Sequence, residues 1–64
     1  MNRALAYDFL TLSVSQVHTV LREMNLDFRQ HGHEKNLDFN TRVLTHIEQE
    51  GRIRELEAIV VTFK

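Results

Sequence analysis

The chain has 64 residues, 42% hydrophobic and 27% charged, with no cysteine, no proline, two glycines and a formal net charge of -1. A single domain of this size buries only about 60% of the surface its unfolded form exposes, so it needs good packing or a partner. Disulfides and thiolate metal sites are excluded, and charges that alternate in sign offer no basic block to follow a phosphate backbone or an anionic membrane.

Residues 1–4 open no apolar run of signal length, and no stretch approaches a membrane span. An intracellular, cytoplasmic setting is the default expectation. With Gly32 and Gly51 as the only strong breakers, the chain reads as helices and not as many short strands. Asn2 is an acceptable N-cap, and Leu5, Phe9 and Leu12 follow at helical spacing, which predicts a first helix over residues 3–11. Ser13 followed by Gln16 is a capping box, with Leu12 and Val17 at the two staple positions. The helix it starts shows Val14, Val17, Val20, Leu21 and Met24 on one face. Asn25 suits a left-handed C-cap, and Leu26 can fold back onto the apolar face.

Asp27 to Asn36 is polar and irregular apart from Phe28, and reads as a loop with room for one helical turn before Gly32. A third helix begins at Leu37 or Asp38, buries Phe39, Val43, Leu44 and Ile47, and runs to Glu50, where Gly51 ends it. The last spans residues 52–63 with Ile53, Leu56, Ile59, Val60 and Phe63 inward. Ile59-Val60-Val61-Thr62-Phe63 is β-branched enough to pass for a strand, but the period from Ile53 favours helix. The expected fold is all-α, a bundle of four to five short antiparallel helices around one domain, residues 1–64. Its core is Leu5, Phe9, Leu12, Val17, Val20, Leu21, Met24, Phe39, Val43, Ile47, Ile53, Leu56, Val60 and Phe63.

Chemistry is sparse. His31 and His33 flank Gly32 in the loop, and His18 and His46 lie on helices without an i, i+4 partner, short of the three or four convergent ligands that zinc wants. His18 and His46 are expected to edge the core. Ser13 is explained by capping, and no glycine-rich elbow surrounds any hydroxyl. Glu48/Glu50 and Glu55/Glu57 are spaced i, i+2, so each pair splits between two sides of a helix. We expect no enzyme, no cofactor and no metal site. A helix-turn-helix should show a basic recognition helix, and here Arg52 and Arg54 are the only basic cluster, ringed by Glu50, Glu55 and Glu57.

What remains is surface charge of both signs: Arg22, Glu23, Arg29, Glu48, Glu50, Arg52, Arg54, Glu55 and Glu57. Each alone is ordinary solvated charge. Together they are candidates for a self-complementary interface, with Val61 or Phe28 as apolar anchors. Reversing Arg52 and Arg54 to Glu is expected to weaken partner binding with helicity intact.

Tyr7-Asp8-Phe9-Leu10-Thr11-Leu12-Ser13, Val20-Leu21-Arg22-Glu23-Met24-Asn25-Leu26 and Ile47-Glu48-Gln49-Glu50-Gly51-Arg52-Ile53-Arg54-Glu55-Leu56, with Val17, Phe39 and Val43-Leu44 between, carry a resemblance. The chain resembles the bacterial effector-associated domains of the death-like superfamily. The matching positions are core and cap positions. The resemblance implies a non-catalytic adaptor that pairs with another like helical domain, coupling an effector to a sensor in bacterial conflict or antiphage systems. Death-like domains usually carry more helices, so it also implies a reduced middle helix within Asp27–Asn36. Two other expectations stand beside it: a small helix-turn-helix DNA-binding regulator, and an obligate homodimeric bundle.

Overall fold

The computed structural model describes residues 2–64. Four α-helices follow in order: α1 (Arg3–Leu10), α2 (Val14–Glu23), α3 (Asn36–Gln49) and α4 (Ile53–Val60), the last tightening into a 3-10 turn over Val61–Phe63. Among the described residues there is no strand, and the Ile59–Phe63 run is helical. The radius of gyration is 10.7 Å, against about 11 Å for a folded chain of this length.

Local chemistry sets most helix ends. The Asn2 side chain accepts from the Ala4 N–H at 2.7 Å and starts α1. The first helix stops one residue before the expected Thr11, whose hydroxyl donates back to the Tyr7 carbonyl at 2.9 Å. Both halves of the capping box form: Gln16 N–H donates to Ser13 Oγ at 3.2 Å, and Ser13 N–H to Gln16 Oε1 at 3.0 Å. α2 and α3 end in the same way. Asn25 takes φ 57° and Gly51 φ 69°, and each is followed by a backbone bond that reaches back a full turn, Leu26 N–H to the Leu21 carbonyl and Arg52 N–H to the Ile47 carbonyl. Those bonds satisfy carbonyls that the helix leaves open, in the Schellman pattern.

The core follows the expected stripes. Phe9, Val17, Val20, Phe39, Val43, Ile47 and Leu56 are wholly buried, with Leu5, Leu21, Met24, Leu44 and Val60 close behind. Leu12, Ile53 and Phe63 pack against this cluster from its margin and stay half-buried, a correction to their placement inside it. They sit at the connection before α2, the first turn of α4 and the 3-10 turn, where one side of a residue always faces water. One buried residue went unforeseen. Asn40, on α3, is 1% exposed and its Nδ2 donates to the carbonyls of Leu10 and Leu12 at 3.3 Å each. It therefore holds the end of α1 and the turn into α2 against α3.

The segment between α2 and α3 corrects two expectations. It holds no helical turn before Gly32 and no reduced middle helix; beyond the Asn25 cap its turn lies at Gly32–His33, closed by Glu34 N–H to the His31 carbonyl at 3.0 Å. Side chains secure what backbone bonds do not, since Gln30 Nε2 donates to the Glu34 carbonyl and to Asn36 Oδ1, both at 2.8 Å. α3 starts at Asn36, one residue earlier than the sequence suggests.

Candidate interaction surface

Arg42, half-buried on α3, is the centre of a polar network. Its Nε and Nη2 donate to the two oxygens of Glu34 at 3.0 and 2.9 Å, and Nη2 also donates to the Arg29 carbonyl at 2.7 Å. The guanidinium carbon lies 5.5 Å from the ring centres of both Phe28 and Phe39. Cation–π attraction and a two-pronged carboxylate pair thus act on one side chain. The hydrogen bond from Arg42, aided by the His31 N–H, holds the Glu34 carboxyl at about 2, against a partial burial that pushes the other way. The same pairing raises Arg42 above its ordinary value. The clamp fixes residues 28–34 onto α3, and neither partner figured among the expected site residues. Glu34 lies in the segment before α3 and Arg42 nearly two turns into it, so no spacing within one helix pairs them.

The clamp also settles Phe28. It is half-buried against the core and meets the His46 ring edge-on at 4.9 Å, so it is not a free anchor. Val61 is 55% exposed, as an anchor requires. Tyr7, at 70%, and Leu37, at 58%, are two further exposed apolar side chains that no sequence pattern marks as anchors. His46 edges the core as expected and lies 3.5 Å from Glu50. His18 is exposed, its ring centre 6.3 Å from that of Phe39. His31 and His33 are exposed on the loop turn. Among the described residues no three His, Asp or Glu side chains converge as metal ligands, and no pocket opens in the surface.

The nine expected interface residues separate into bound and open ones. Arg52 turns inward: Nη2 donates to the Met24 carbonyl at 2.9 Å, at the end of α2, and to Glu55 Oε2 at 2.8 Å. A cation there complements the negative end of α2. Their mutual hydrogen bonding lowers the Glu55 carboxyl and raises Arg52. Reversing Arg52 would break contacts inside the molecule, so the expectation of intact helicity applies only to Arg54. Glu50 is engaged by His46. Arg22, Glu23, Arg29, Glu48, Arg54 and Glu57 are exposed, and among the described residues none of their side chains forms an ion pair. The Arg52–Met24 bond gathers Arg22, Glu23, Arg52 and Glu55 at one end of the bundle, where the end of α2 meets the start of α4. Glu48 and Glu50 occupy the neighbouring end of α3. Arg29 lies apart on the crossing segment, and Glu57 one turn further along α4.

Among the described residues a further ion pair, Lys64 Nζ to Asp8 Oδ2 at 2.6 Å, ties the 3-10 turn to α1. No helix is long and apolar enough to cross a membrane among the described residues. Comparison with protein-family models, with curated proteins and with solved structures found no match to this chain.

Proposed function

We propose that this domain is a non-catalytic interaction module that associates with like helical domains, steered by surface charge. The observation that carries the reading is the division of its charges. Arg42, Glu34, Arg52 and Glu55 are spent on holding the bundle together, while Arg22, Glu23, Arg29, Glu48, Arg54 and Glu57 stay exposed with both signs represented. Exposed charges of mixed sign favour a partner with the complementary arrangement and speed its encounter. The resemblance to effector-associated domains adds the context: a cytoplasmic adaptor that joins an effector to a sensor in a bacterial conflict or antiphage system.

The test is capture from the native host with the purified domain as bait, at low and at high salt, with duplex-DNA binding measured in parallel. The expected result is retention of a protein that itself carries a small helical domain, released as salt rises. Retention of duplex DNA with a steep salt dependence, or of no such protein, would overturn the reading.

A further inference from the structure

Counted from its N-cap Arg52, the α4 segment carries the spacing Arg-x-x-Glu twice, and the two copies behave differently. Arg52 and Glu55 close on each other. Arg54 and Glu57, two positions on, are both exposed and form no ion pair among the described residues. Two positions turn a helix by about 200°, so the second pair faces away from the first. Ala58 and Val61 are exposed as well, and positions 54, 57, 58 and 61 form one continuous stripe at i, i+3, i+4 and i+7. The stripe thus holds an open base, an open acid, a small residue and an apolar one.

We propose that this stripe is self-complementary and that a second copy of the chain docks on it, α4 against α4, antiparallel about a two-fold axis level with Glu57 and Ala58. The proposal rests on the like-with-like reading above and names the surface. A two-fold contact is reciprocal, so each open charge must find its opposite across the axis. With the axis there, Arg54 lies level with Val61 of the second copy. Its guanidinium then runs back about 6 Å, four residues at 1.5 Å each, to Glu57 of that copy. The arginine stem covers the exposed valine on the way. Ala58 beside the axis lets the helices approach to about 8 Å. Both charges are answered, twice per dimer. Two helical turns bury little area, below about 1,200 Å² in total, so the dimer is weak and reversible.

Sedimentation equilibrium from about 10 μM to about 1 mM at low salt tests this on the wild type, R54E, E57R and an equal mixture of the two variants. Both positions are exposed, and circular dichroism of each variant checks that helicity is kept. The wild type is expected to rise above its 7.6 kDa monomer mass, and each variant alone to lose affinity about tenfold or more through facing like charges. The mixture should recover it, because a chain with two acids then faces a chain with two bases. Association of either single variant as tight as the wild type removes this face and leaves the like-with-like reading standing. A mixture that fails to recover shows that the charges do not face each other and also overturns the proposal. A wild type that stays at 7.6 kDa throughout ends self-docking, and the parent reading is then decided by its own capture experiment.

Discussion

Replacing Asn40 by aspartate changes one atom and inverts what the site can bear. Asn40 is 1% exposed, and its Nδ2 is the donor for two carbonyls, those of Leu10 and Leu12. Among the described residues no donor meets its buried Oδ1, so none waits there to receive an anion. An aspartate at 40 must stay protonated in the folded state, donating one bond in place of two. The lost bond costs about 1 kcal/mol. Holding the proton from an unfolded pKa of about 3.9 up to pH 7 costs about 4 kcal/mol more, at 1.36 kcal/mol per unit. The folded pKa is raised, so stability is intact below the unfolded value and falls as pH climbs above it. A domain of this length has only about 3–10 kcal/mol in hand. Asn40→Asp should therefore be largely unfolded at pH 7 and recover most of its stability at pH 4. Asn40→Leu, which removes the donors without adding charge, should lose about 1–3 kcal/mol independently of pH over that interval. Urea unfolding followed by circular dichroism at the two pH values reads all three chains. An Asn40→Asp midpoint equal to wild type at pH 7, or a deficit that does not shrink towards pH 4, would refute the reasoning.

Three further expectations concern the ends and the clamp. Ser13→Ala removes one arm of the capping box and should cost about 1 kcal/mol, a fall of about 4–8 °C in Tm by thermal melting; an unchanged Tm would mean that the box adds nothing. Gly51→Ala meets no steric neighbour but must hold φ 69°, and should lose about 1–2 kcal/mol in urea titration. The Glu34 carboxyl, held at about 2 by Arg42, is depressed relative to its unfolded value. Its contribution is therefore full above about 4.5 and lost as pH falls towards 2. Acid unfolding of Glu34→Gln should lack the part of the transition that the wild type shows in that window, and carboxyl NMR should find Glu34 itself titrating at about 2.

Helices were legible because their signals are local. Ser13 with Gln16, Asn25, and Gly51 each act within one turn of their own position, and the apolar period from Val14 to Met24 needs no knowledge of the rest of the chain. What the sequence hid is long-range. Asn40 sits on an otherwise polar-to-apolar boundary of α3, and only the arrival of α1 from thirty positions away, at the Leu10 carbonyl, gives it a role. Arg42 and Glu34 bracket Phe39 and the start of α3, so their pairing depends on how the loop folds back. The candidate surface was partly legible for a related reason. Exposed charge is easy to recognise, but whether it is open or spent depends on partners elsewhere, as Arg52 shows by turning to Met24. Phe28 failed as an anchor because Arg42 and His46 cover it.

The proposed role requires a bundle that is folded before it meets anything, with its recognition charges on the outside. Helicity of the wild type, followed by circular dichroism on dilution from about 1 mM to about 1 μM, tests this most directly. The same helical signal is expected at every concentration. A signal that collapses on dilution would show that folding itself requires a second chain, and would contradict the proposed role.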